Sequence, residues 1–266
     1  MDELINLFKN GTGIPLKIVV FDLDETLGYF VVFGMFWNAI CAFYKRPLTQ
    51  LDFNITMDLY PEFIRPNIIE ILTFLKHKKD SNKCSNLMIY TNNQGPEEWA
   101  IFIKSYFEWK IRGVIFDRII PAFKVGGKQV AMGRTTHRKT YPDFVRCANV
   151  PENSSICFVD DVFHEEMNAN NVYYINVRPY IYDLPYETLL NRYLLANSAL
   201  RSGPFIIKCA AYFNKYNHMY IPKKEAEYML DVDDTRKLKK HLKRFFNQSK
   251  TQRSRKRSAN KTKRHK

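Results

Sequence analysis

Cysteine is scarce in this chain and spaced for neither of its structural uses. Cys41, Cys84, Cys147, Cys157 and Cys209 include no CxxC pair. That excludes the common zinc patterns and a disulfide framework, and leaves reduced, mostly buried thiols in a cytosolic or nuclear setting. The six histidines show no ligand spacing either, and His137 and His164 are read as incidental. A long spanning run is also missing, with one near exception. Leu27–Tyr44 carries no charge and approaches the ~20 residues of a membrane helix. It holds Gly28, Gly34 and Asn38, however, and begins directly after an acidic motif that spanning would cut off from its partners. It therefore reads as an insertion, and no membrane contact is expected. Met1–Phe8 has two acids and no apolar region, so no signal peptide is expected. Acids are absent from residues 236–266, where 15 Lys/Arg stand alone; with +14 over all 266 residues, the first 235 carry only −1. The basicity belongs to a tail, and such a block is expected to be a disordered interaction arm.

What is present is organised around Lys17-Ile-Val-Val-Phe-Asp-Leu-Asp-Glu-Thr-Leu27. The β-branched and aromatic run suits a central strand buried on both faces. Asp22, Asp24 and Thr26 then crowd its carboxyl end, where open α/β sheets place ligands. Buried acids two residues apart need a partner, and a divalent cation is one; magnesium is held by one or two carboxylates plus phosphate oxygens. The same pair offers a nucleophile, Asp22, and a general acid/base, Asp24.

Downstream, strands and helices alternate. Pro66 suits the first turn of a helix with Ile68, Ile71, Leu72 and Leu75 on one face. A strand over 86–90 ends in Thr91-Asn92-Asn93-Gln94-Gly95, and a helix follows Pro96. A short strand within 113–123, a Gly126-Gly127 turn, a helix near 141–148 and strands over 155–159 and 172–177 come next. Helices near 185–196 and from Pro204 close the series. The fold expected is α/β, a doubly wound parallel sheet with helices on both faces. Residues 1–195 form the main domain, with a flap or cap insertion at 28–59; 196–235 form an accessory helical segment, and 236–266 the tail. Asp22/Asp24, Thr91 and Asp160/Asp161 would meet at one sheet edge, a set suited to phosphoryl transfer, which is mostly positioning and charge neutralisation.

These motifs, in this order over about residues 17–180, resemble those of the haloacid-dehalogenase-like phosphatases. The resemblance implies a magnesium-dependent phosphatase with an aspartyl-phosphate intermediate. Asp22 would be the nucleophile, and Asp24 the acid/base, its backbone carbonyl also facing the metal. Thr91 would bind the phosphoryl group, and Asp161 would ligate Mg2+ with Asp160 supporting. The motif lysine would be Lys139, ahead of the 141–148 helix, with Lys124 and Lys128 as rivals. Within the superfamily, Asp22–Leu27, Tyr60–Ile69 around Arg65-Pro66, Tyr90-Thr91-Asn92 and Asp160-Asp161 are most similar to the RNA polymerase II C-terminal-domain (NLI-interacting-factor-like) phosphatases. That resemblance, over about residues 17–195, implies phosphoserine or phosphothreonine in proteins as substrate, such as the polymerase tail, with Thr26, Asn92 and Arg65 as substrate contacts.

Gly28-Tyr29 and the apolar insertion depart from that family. The Thr91–Gly95 turn is similar to the Thr-Asn-Gln-Gly turn of polynucleotide 3′-phosphatases and histidinol-phosphate phosphatases, so a nucleic-acid end or a small molecule is the alternative substrate. A non-catalytic scaffold on the same fold is the remaining reading, and no catalytic carboxylate has been lost to support it. A second Asp-x-Asp-x-Thr, Asp231–Thr235, lacks a preceding strand and reads as a cap for a basic helix near Arg236. Arg253–Arg257 and Lys261–Arg264 resemble nuclear-localisation or nucleic-acid patches. They suggest an import receptor or non-specific, salt-sensitive nucleic-acid contact, and a nuclear rather than cytoplasmic place. Richness in Lys, Asn, Ile, Tyr and Phe would fit an AT-rich genome, such as that of a large DNA virus or a protist.

Overall fold

The computed structural model describes residues 16–197, 203–216 and 219–248. The lead-in before Leu16 and the patches at 253–257 and 261–264 lie outside them. Five parallel strands form one sheet in the order β3-β2-β1-β6-β7: β1 (Lys17–Phe21), β2 (Asn86–Tyr90), β3 (Arg118–Ile120), β6 (Ser155–Asp160) and β7 (Val172–Asn176). The two-residue strands β4 (Lys124–Val125) and β5 (Lys128–Gln129) pair as a separate hairpin. Gly126 and Gly127, with φ of +55° and +81°, supply the positive angles of its tight turn. The chain runs outward from β1 through β2 to β3, then returns to β6 on the other side. The switch of direction therefore falls between β1 and β6, where such sheets open a crevice at their carboxyl ends.

Alternation along β1 divides the core. Val19 and Phe21 face the larger layer, and Ile18 and Val20 the smaller one. The smaller layer is covered by α5 (Tyr141–Ala148), whose Phe144 packs among Tyr90 and Phe158. The larger layer receives α3 (Ile68–Asp80), α4 (Glu97–Lys110), α6 (Tyr186–Ala196), α7 (Gly203–Tyr216) and α8 (Glu225–Asn247). The architecture is α/β, a parallel sheet flanked by helices.

Two expectations are corrected here. The insertion at 28–59 is not a flap over the sheet edge but two helices, α1 (Val31–Tyr44) and α2 (Gln50–Asp58). Val32, Phe33, Phe36, Trp37 and Ile40 of α1 are buried in the larger layer. Phe33 packs 5.4 Å from the Phe53 ring and 6.2 Å from Trp99, and Phe43 lies 5.0 Å from Phe205 of α7. Gly34 lets the Trp99 indole close in, since a Cβ there would stand 3.3 Å from it. The helix carries apolar residues nearly all round because it is sandwiched, and that hides its period.

The tail is corrected too. Residues 236–247, expected to be disordered, belong to α8, which begins at Glu225 rather than near Arg236. Leu238, Leu242 and Phe245 are buried, and Lys17 Nζ donates to the carbonyls of Phe245 (3.0 Å) and Phe246 (2.7 Å) at the helix end. Asp231 and Asp234, expected as caps, lie inside the helix and pair with Arg178 at 2.9 and 3.0 Å.

Candidate active site

The acids gather at the switch point. Asp22 follows β1, and its N–H extends the ladder to the Val159 carbonyl at 2.9 Å. Asp160 ends β6, and Asp161 comes next. Carboxylate oxygens of Asp22, Asp160 and Asp161 lie within 4.8 Å of one another, close enough to share one metal ion. Lys139, only 2% exposed, reaches them from the loop before α5. Its Nζ donates to Asp22 Oδ1 and, at 2.7 Å, to Asp160 Oδ2. Lys124 and Lys128 sit on the β4–β5 hairpin instead. Of the three lysines, Lys139 is the one seen in contact with these acids.

Electrostatics follow from crowding. Burial works against the Lys139 charge, but Asp22 and Asp160 outweigh it and hold its pKa up. Burial raises the Asp22 and Asp160 carboxyls, with neighbouring acids adding to the rise and Lys139 pulling both down. Two of the three carboxylates thus share one ammonium. A hard divalent cation suits that donor set of oxygens and the negative charge Lys139 leaves over. His164 Nε2 stands 3.6 Å from Asp160, but burial and then Lys139 push its pKa down to about 4. It is therefore neutral at neutral pH and adds no cation to the cluster.

Asp24, expected to face the metal through its backbone carbonyl, keeps its carboxylate outside this set. Asn93 Nδ2 donates to its Oδ2 at 2.8 Å and turns it toward the β2 loop. Burial lifts its pKa to about 6, against the pull of Asn93. That places the group near neutrality, where a carboxyl can both give and take a proton. Asn93 is itself set by Gly95, whose N–H donates to Asn93 Oδ1 at 2.7 Å. A Cβ on Gly95 would come within 2.8 Å of that oxygen, so a larger residue there would push the Asn93 amide aside. Thr91 is buried; its Oγ1 accepts from the Asn93 N–H at 3.0 Å. That leaves the hydroxyl proton available to donate.

Three expected substrate contacts have other partners. Thr26 is buried; it donates to Asp161 Oδ1 at 2.9 Å and accepts from the Asp161 N–H at 3.1 Å, so it positions Asp161. Asn92 Oδ1 accepts from Arg134 Nη2 at 2.8 Å. Arg65 is 1% exposed, and its guanidinium donates to the carbonyls of Thr26 (2.5 Å), Glu25 (2.6 Å) and Arg178 (2.7 Å). It holds the turn after Asp24, in which Glu25 takes φ +58°, and is not open to substrate.

Arg134 is a positioning residue that sequence reasoning missed. Buried to 1% exposure, it donates to the carbonyls of Thr91 (3.1 Å), Pro121 (3.0 Å) and His137 (3.0 Å), as well as to Asn92. It ties the Thr91 turn to the loop that delivers Lys139. A loop arginine beside Gly133 carries no signal of this in the sequence. Asn93 had one: a short amide two residues past Thr91 at a strand end. Comparisons of the chain with protein-family models, with curated proteins and with solved structures give no match.

Proposed function

We propose that the protein is a magnesium-dependent phosphatase of the haloacid-dehalogenase-like kind, acting through an aspartyl phosphate on Asp22. The observation that carries this reading is the pairing of a three-carboxylate cluster, in which Asp22 and Asp160 bind buried Lys139, with a fourth carboxyl, Asp24, held apart from it by Asn93. Residue types, order and resemblance point the same way.

Asp22 attacks phosphorus, and the bond to the leaving oxygen breaks. Asp24, protonated, gives its proton to that oxygen. The alcohol leaves, and the phosphoryl group stays on Asp22. Asp24, now ionised, takes a proton from water, which attacks phosphorus; the Asp22–phosphorus bond breaks and inorganic phosphate departs. Thr91 Oγ1 donates to a phosphoryl oxygen, and Lys139 holds the Asp22 carboxylate and offsets the charge gathering there. Asp22, Asp160 and Asp161 would hold Mg2+, which supplies charge neutralisation on the phosphoryl oxygens when bound.

Phosphoserine or phosphothreonine in proteins is the substrate class we favour, with the RNA polymerase II tail as one instance. With α1 and α2 packed into the core, they do not form a lid, which suits a large substrate. The basic run from Arg236 favours a second reading, a polynucleotide 3′-phosphatase, because it supplies the charge to hold a nucleic acid. It also suits a nuclear address. The test is magnesium-dependent phosphate release from a phosphoserine peptide, a 3′-phosphorylated oligonucleotide and an aryl phosphate, with wild type and Asp22→Asn. Peptide turnover lost in Asp22→Asn supports the first reading. Oligonucleotide turnover without peptide turnover replaces it with the second.

A further inference from the structure

A cavity of about 390 Å³ opens at Thr91 and Asn93 and runs between α4, β3 and the β4–β5 hairpin. Its size falls within the roughly 300–1,000 Å³ usual for ligand pockets. The walls are largely apolar: Ala100 and Ile101 come from α4, Ile119 from β3, and Val125 and Val130 from the hairpin. Two of these side chains stay open to solvent, Ile101 at 45% and Val130 at 46% exposure. Nothing in the proposed chemistry uses them, yet the pocket begins at the two residues that flank the reacting groups.

We propose that this pocket is a specificity subsite for an apolar side chain next to the phosphorylated residue of a phosphoprotein. The inference rests on the phosphatase reading and narrows its substrate. Continuity with Thr91 and Asn93 sets the distance: successive residues of an extended peptide step roughly 3.3 Å, so a neighbour of the bound phosphoresidue reaches the cavity. Charge chooses the occupant. The lining holds two cations, Lys104 and Arg118, and two anions, Glu97 and Asp117. Lys104 is paired with Glu108 at 2.7 Å, Asp117 with Lys79 at 2.7 Å, and Arg118 donates to the Cys147 carbonyl. The balanced lining gives no field to draw the next phosphate of a polynucleotide, whereas it suits an uncharged, branched or aromatic group.

Two phosphoserine peptides, identical except for Leu or Asp at the residues flanking the phosphoserine, are assayed with wild type, Ile101→Asp and Val130→Asp. Both substitutions fall on exposed side chains of separate elements, and acetyl phosphate hydrolysis serves as the folding control. Wild type should favour the Leu peptide in kcat/KM by roughly tenfold to a hundredfold. Both variants should lose that preference, chiefly through KM. Equal rates on the two peptides, or a preference that survives both substitutions, overturns the subsite while leaving the phosphatase intact. A 3′-phosphorylated oligonucleotide turned over faster than either peptide overturns the choice of occupant. If wild type hydrolyses neither peptide, oligonucleotide nor acetyl phosphate, the phosphatase reading itself fails, and the subsite with it.

Discussion

Arg65 offers a sharp test of how the site is held. Arg65→Met keeps the length of the stem and removes the guanidinium, leaving the carbonyls of Glu25, Thr26 and Arg178 without their donor. Hydrogen bonds from a charged group contribute about 1.5–3 kcal/mol each, so three amount to roughly 5–9 kcal/mol. Against this, burial pulls the Arg65 pKa down to about 10. At about 1.4 kcal/mol for each tenfold change, keeping the cation inside costs roughly 3 kcal/mol, which the methionine avoids. The net loss is about 2–6 kcal/mol. Urea unfolding followed by tryptophan fluorescence should show the midpoint falling with the slope unchanged. A residue that contacted substrate would behave differently, raising KM while leaving the midpoint within about 0.5 kcal/mol of wild type. That pattern would refute the clamp.

Three shorter predictions follow from the same geometry. Asn93→Leu removes the donor on Asp24 without touching the three-acid cluster, and should lower kcat on an aryl phosphate by about tenfold to a hundredfold with little change in unfolding midpoint; unchanged kcat would mean that Asp24 needs no holder. Phe245→Ala should destabilise the whole domain by about 3–5 kcal/mol in the same urea assay, because Phe245 is fully buried in the larger layer; no effect would return α8 to the status of a loose arm. In native protein at pH 8, a thiol reagent should label half-buried Cys41 and Cys147 well before Cys84 and Cys209, whose thiols burial pushes up to about 12, and before buried Cys157. Labelling of all five at one rate would contradict the core as described.

The acids were legible because a strand buried on both faces that ends in carboxylates has few structural explanations. Ile18–Phe21 before Asp22 and Ile156–Val159 before Asp160 both show it. Lys139 was legible through resemblance, since a lysine in a loop looks like any solvated charge until the fold carries it inside. Arg65 and Arg134 were not legible in these roles. A buried guanidinium satisfied by backbone carbonyls leaves no complementary residue to find in the sequence. Periodicity failed at α1 because Phe33, Phe36 and Trp37 meet the core while Phe43 meets α7, so no polar face marks the helix. It failed at α8 for the opposite reason. Asp231, Asp233 and Asp234 look like an N-terminal cap, yet Arg178 binds two of them from outside the helix, and the true start lies at Glu225.

The central claim is that Asp22 carries the phosphoryl group, and it can be read directly. Wild type is mixed with Mg2+ and acetyl phosphate, quenched in acid and reduced with borohydride, which converts an aspartyl phosphate to homoserine. Peptide mass spectrometry then locates the change. Homoserine at position 22, absent without Mg2+ and absent in Lys139→Met, is the result the account predicts. Turnover with no modified aspartate, or homoserine at Asp24, Asp160 or Asp161 instead, would contradict it.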